Sequence, residues 1–142
     1  PGPLDRTGPR EVGSFYIESD INRRILPSLN QPCVQDLAFV GSSREDLREF
    51  PTGARREAGY QLDKVQRGEQ PTDFKPMKTV GSGTYEIRIK ESGDEYRVFY
   101  VAKFEDTIYV LHAFQKKSRK TPERHLNIGR RRYEIAKEHA VQ

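Results

Sequence analysis

His112, Lys116, Lys117, Arg119 and Lys120 fall within nine residues, at the end of an apolar run from Ile108 to Phe114. Further back lie Arg88 and Arg97, with Lys75 and Lys78 before them and Arg124 after the run. These residue types suit chemistry on a phosphodiester. Cleaving RNA without a metal needs a base for the 2′-hydroxyl proton, a cation for the charged phosphorane and an acid for the leaving 5′-oxygen. His, Lys and Arg can fill these roles. Lysine acts as a base only with a depressed pKa, which neighbouring cations provide. His112 needs no such help. Against the catalytic reading, His112 sits in an apolar strand, where a histidine satisfied within the core is the commoner case. Arg88 and Arg97 can pair with Glu86 and Glu95 across a sheet face. Lys116 to Lys120 can be a solvated turn, although four cations before a capped helix favour phosphate contact.

Other chemistries lack their residues. Gly81-Ser82-Gly83 precedes a strand pattern rather than a helix, so it is no phosphate loop. His112, His125 and His139 lack zinc spacing, and no metal site is expected. The single cysteine, Cys33, rules out an internal disulfide framework. No apolar run approaches the roughly 18 residues of a membrane span, and no signal-peptide pattern is present. The expectation is a cytoplasmic protein without a cofactor. Its 142 residues are enough for one core, and its net charge of +4 favours a polyanionic partner.

The elements that must position these residues follow from the pattern. Residues 1–35 are broken by Pro and Gly and read as an N-terminal extension or tag with little fixed structure; an arm that folds on a partner is the alternative. Residues 36–142 read as one domain. Asp36 to Val40 is a first strand. Ser42 or Ser43 caps a helix that carries Leu47 and Phe50. Pro51 opens a second helix, ended by Gly68. Residues 69 to 82 are a loop. Thr84 to Lys90, Tyr96 to Phe104 and Thr107 to Gln115 form an antiparallel meander joined by tight turns. The last strand is apolar on both faces and therefore central. A final helix runs from about Pro122 to His139. The fold class is α+β in the order β-α-α-β-β-β-α: a small, mostly antiparallel sheet packed on an α-helical hairpin, with a C-terminal helix.

Several segments in this order carry a family resemblance. They are Leu37-Ala38-Phe39-Val40-Gly41-Ser42-Ser43, Phe74-Lys75-Pro76-Met77-Lys78, Tyr85-Glu86-Ile87-Arg88, Tyr96-Arg97-Val98-Phe99-Tyr100, and Val110 to Lys117 before Thr121-Pro122. Residues from about 36 to 139 resemble the RelE/HigB superfamily of toxins from bacterial toxin–antitoxin systems, in its phage-derived HigB-type branch. The resemblance implies a type II toxin, a metal-independent mRNA endonuclease that acts on messages in the ribosomal A site. It implies neutralisation by a cognate antitoxin, commonly a small helix-turn-helix DNA-binding protein. Carried over by position, the RNA-cleaving residues fall on Arg88, Arg97, Lys116 and Lys117. One of the two lysines is also a candidate general acid. Glu86 stands where RelE-type members can have a catalytic lysine, which leaves Lys78 or His112 as the base. Lys75, Lys78, Arg119, Lys120 and Arg124 are expected to bind RNA. Relatives of this fold that poison DNA gyrase cleave nothing, so a gyrase-binding toxin or an inactive RNA binder is the alternative.

Overall fold

The computed structural model describes residues 34–104 and 106–140, together with the backbone of two short strands, β1 (Glu11–Val12) and β2 (Phe15–Ile17). The rest of residues 1–33, Cys33 included, lies outside the described residues. The elements that follow are β3 (Asp36–Val40), α1 (Ser43–Arg48), α2 (Thr52–Gln66), β4 (Phe74–Pro76), β5 (Thr84–Glu91), β6 (Asp94–Phe104), β7 (Thr107–Lys116) and α3 (Glu123–Ala140). They form one mixed sheet in the order β1-β2-β3-β7-β6-β5-β4. The fold is α+β, and β3, α1, α2, β5, β6, β7 and α3 follow one another in the order expected from the pattern, with β1, β2 and β4 added.

Period-two alternation builds the meander. Tyr85, Ile87 and Ile89 leave β5 on one face, and Glu86 and Arg88 leave it on the other. The β5–β6 turn carries Ser92 and Gly93 at positive φ (53° and 86°), a backbone that Gly93 adopts without a steric cost. β7 is buried from Ile108 to Phe114 because layers cover both of its faces. On one side α1, α2 and the connection between them deliver Leu47, Phe50, Ala54, Ala58, Leu62 and Val65 against Ile87, Ile89, Val98 and Val110. On the other, α3 delivers Tyr133 and Ala136 against Phe99, Val101, Tyr109 and Leu111. Gly129 lets α3 approach closely: a Cβ there would stand 3.0 Å from Phe99 and 3.1 Å from Val80.

Some local expectations change. Ser42 occupies the N-cap of α1, but its hydroxyl donates to Asp46 Oδ2 at 3.0 Å instead of capping a backbone amide. Pro51 is the N-cap residue of α2, one position before the helix proper. The stretch expected to be loop contains β4, which pairs antiparallel with β5. Its three residues show no readable alternation, and Pro76 fits only because β4 lies at the sheet edge. The first strand joins the last in parallel, Leu37 opposite Ile108 and Phe39 opposite Val110. β2 then pairs antiparallel with the free side of β3.

Candidate nucleic-acid interface

The site lies on the α3 face of the sheet, beyond the part that α3 covers. Arg88 and Arg97 are Cα partners across β5 and β6, and Arg97 is in turn opposite Phe114 on β7. Register therefore sets the two guanidinium groups side by side. β4 contributes Lys75, and its connection to β5 contributes Met77, Lys78 and Thr79, as one wall. The β7–α3 loop and the first turn of α3 contribute Lys116, Arg119, Lys120, Thr121 and Leu126 as the other. Between them is an open groove of about 690 Å³. Seven of its lining residues are cationic, and Glu86 is the only carboxylate. Such a surface concentrates polyanions.

The floor of the groove is a charge network. Arg97 is 7% exposed and Glu86 is 1% exposed. Glu86 Oε1 lies 3.6 Å from Arg97 Nε and 3.7 Å from Arg88 Nε. Arg97 Nη2 donates to Glu95 Oε1 at 2.7 Å, and this hydrogen bond holds the Glu95 carboxyl below its ordinary pKa. Asp73 Oδ1 stands 3.8 Å from Arg88 Nη1. The pairings of both arginines with Glu86, and of Arg97 with Glu95, are thus present at the groove itself. Arg88 remains 37% exposed in its side chain, open to a ligand.

The β7–α3 loop is braced from within. Lys116 Nζ donates to the carbonyls of Ser118 and Arg119 at 2.7 and 2.6 Å, and Ser118 Oγ donates to the Lys120 carbonyl at 2.7 Å. Lys116 thereby sets the loop's shape. Arg119 and Lys120 are exposed on the groove wall that this shape creates.

Residues 45–134 match the family described as phage-derived protein Gp49-like. The chain belongs to this family. It is a toxin-like family related to the RelE/HigB-type toxins. No curated protein matches the chain. Among the described residues no helix is long and apolar enough to cross a membrane.

Of the site residues expected from sequence, the Gp49-like chain brings seven into one groove: Arg88, Arg97, Lys116, Lys75, Lys78, Arg119 and Lys120. Lys117 is not among them. It follows the last residue of β7 and lines a neighbouring hollow with Asp94, Glu95 and Gln115, which Lys116 and Arg119 also border. Arg124 is exposed on the first turn of α3 and does not line the groove. His112 also lies outside the groove. It lines a separate hollow with Asp46, His125 and Arg132. Its Nε2 is 2.8 Å from His125 Nδ1, and its ring lies beside that of Phe114, which in turn stacks on His125 at 4.0 Å. Burial lowers the His112 pKa to about 3, with the charges of His125 and Arg132 acting in the same direction. His112 is therefore a neutral packing group between β7 and α3. Tyr133 is likewise buried, its hydroxyl donating to the Ser82 carbonyl at 2.9 Å.

Glu86 lines the groove although residue-type reasoning named it only as a pairing partner and not among the site residues. The alternation that puts Arg88 on the groove face puts Glu86 there too, two positions earlier. That signal was in the sequence. What the sequence did not carry is that Glu86 lies beneath both arginines.

Proposed function

We propose that this Gp49-like chain is the toxin of a type II toxin–antitoxin system, and that its groove binds and cleaves mRNA on the ribosome. The observation that carries this reading is the groove itself: seven cations converge on one open channel, with two arginines side by side on a rigid sheet. Arg97 would stabilise the charge that develops on the scissile phosphate, assisted by Arg88. Preformed guanidinium groups held by strand register require little reorganisation as that charge grows. Lys75, Lys78, Arg119 and Lys120 would hold the backbone on either side. Of the two candidate bases, Lys78 lines the groove and His112 does not, so the proposal assigns the 2′-hydroxyl proton to Lys78; of the two candidate acids, Lys116 lines it and Lys117 does not, so Lys116 would give the proton to the leaving 5′-oxygen. The implied partners are mRNA in the ribosomal A site and a helix-turn-helix antitoxin that neutralises the toxin.

A second reading has one observation in its favour. Glu86 lies beside both arginines and weakens the positive field where catalysis needs it, which suits a protein that binds RNA without cutting it. Primer extension on mRNA from cells in which the chain is induced separates the readings. Codon-phased cuts within translated messages are expected. Intact messages together with growth arrest and DNA breaks would overturn the nuclease proposal in favour of gyrase. Intact messages with retained RNA binding would leave the binder.

A further inference from the structure

β7 loses one of its two neighbours halfway along. β3 pairs with it only as far as Phe39 opposite Val110, while β6 stays paired with it to Lys116. Alternate residues of a strand aim their N–H and C=O groups at opposite sides. Half of the backbone groups beyond Leu111 therefore face a side where no described strand lies. At the start of this stretch a side chain stands in for the missing strand: Arg132 Nη1 donates to the Leu111 carbonyl at 3.0 Å. Among the described residues no side chain does the same for Ala113, Phe114 or Gln115. These three border a hollow of about 590 Å³ between the end of α1 and α3. Ala113 and Phe114 are 3% and 6% exposed, and buried backbone groups are almost always paired.

The walls of the hollow say what kind of chain fits it. On the α3 face, His112 Nδ1 is buried without a hydrogen-bond partner, and Asp46 Oδ2, at 3.8 Å, is too far away to bond it. His112 Nε2 is already engaged with His125. With the ring proton on Nε2, both Nδ1 and the Asp46 carboxylate accept, and one donor entering between them serves both. Glu49 lines the same hollow. Arg132 stands 3.8 Å from Asp46 but makes its hydrogen bonds to the Leu111 carbonyl and to Ser42 Oγ. Two carboxylates against one engaged guanidinium call for a cationic donor. A metal ion is a poor match, because no three His, Cys, Asp or Glu side chains among the described residues converge to hold one. On the opposite face of the sheet the hollow offers Phe50 and Tyr96, an apolar wall. Successive side chains of an extended segment point to opposite faces. We propose that the hollow docks an extended segment of a partner protein, which pairs its main chain with the free edge of β7 and alternates apolar side chains against Phe50 and Tyr96 with a basic one at Asp46. The hollow is separate from the cationic groove, so this docking surface stands whether or not the groove binds RNA.

The test is a nuclear magnetic resonance titration of the full chain, labelled with nitrogen-15, against four capped hexapeptides. One is Val-Lys-Val-Lys-Val-Lys and one replaces its lysines by glutamates. The other two are the lysine peptide N-methylated on its valines or on its lysines. Each methylated peptide keeps every side chain and loses the amide donors of one edge only. The lysine peptide is expected to saturate with a Kd of about 1 mM or below, with the largest shifts at the amides of Ala113, Phe114 and Gln115. The glutamate peptide and one of the two methylated peptides should bind about tenfold or more weakly, the usual effect of lost hydrogen bonds and a lost charge pair. The other methylated peptide, blocked on its outer edge, should bind within about threefold of the parent. Asp46→Asn should reduce the preference for lysine over glutamate to less than about threefold. Shifts that map outside the hollow, no saturation, or equal binding of the lysine and glutamate peptides overturns the proposal. So does equal binding of the two methylated peptides, because strand pairing uses one edge. If circular dichroism shows that Asp46→Asn has lost its fold, the four peptides on the wild type decide alone. None of these failures touches the groove.

Discussion

Arg97 is nearly buried, yet it forms part of the groove floor and is held from below by Glu86 and from the side by Glu95. A guanidinium fixed this way acts where charge develops, so Arg97→Ala is expected to lower message cleavage by on the order of 100-fold and to relieve growth arrest on induction. Lys117→Ala, beyond the groove, should leave arrest nearly intact; equal effects of the two substitutions, read as colony counts and primer-extension yield, would contradict the groove assignment. His112 yields a prediction about stability instead. Its folded pKa of about 3 lies below the ordinary 6.5. The unfolded chain therefore binds the extra proton first as pH falls. The contribution is fully present above pH 6.5 and is lost as pH falls toward 3, by on the order of a few kcal/mol. Denaturant titrations across that range should show the loss, and His112→Phe should flatten it. At this scale the sequence was legible for residue types and poor for direction. Arg88 and Arg97 could be placed by strand alternation. Lys116 and Lys117 could not be told apart, since they stand at the point where the strand ends and its period stops applying. The burial of His112 depends on α3, which reaches it from another part of the chain.

The groove exists because α3 covers only part of its sheet face. Gly129 sets how closely the helix lies, and Arg132 fixes it again by donating to the Leu111 carbonyl at 3.0 Å and to Ser42 Oγ at 2.9 Å. Gly129→Leu would force α3 away from Phe99 and Val80. An overpacked contact of this kind costs about 2 kcal/mol, which for a chain of this size lowers the melting temperature by roughly 5–10 °C. Calorimetry checks it, and an unchanged melting temperature would show that the helix is free to slide. The long elements were legible because hydrophobic period and turn residues agree over many positions, as in the β5–β6 hairpin. β4 was not. Three residues contain too little pattern, and β4 is a strand because β5 offers it an edge. The parallel partnership of β3 and β7 was hidden for a related reason: both strands read as buried, and nothing local says which edge a buried strand joins.

For the molecule as a whole, charge is distributed unevenly. A net charge of +4 is modest, and the groove gathers seven cations against one lining carboxylate. Binding to single-stranded RNA should therefore depend strongly on salt. If about four phosphates are neutralised, the slope of log affinity against log salt is about −3. Anisotropy titrations between low and physiological salt measure it, and a slope near zero would mean that the cations do not contact the backbone. Composition pointed to a polyanion without saying where on the surface it binds. The fold gathers the cations, by bringing residues from β4 and its connection to β5, the meander and the β7–α3 loop to one side.

The parallel pairing of β3 with β7 also governs when the groove can come into being. Leu37 meets Ile108 only after everything between them has been made, and contacts between such distant positions form late in folding. One groove wall, from Lys116 to Leu126, is made later still. During synthesis the first half of the chain has no central strand to join, and the cations of β5 and β6 have no facing wall. The groove is therefore absent from the nascent chain until Leu126 has been made, and the order of synthesis keeps its two walls apart until β7 has paired with β3.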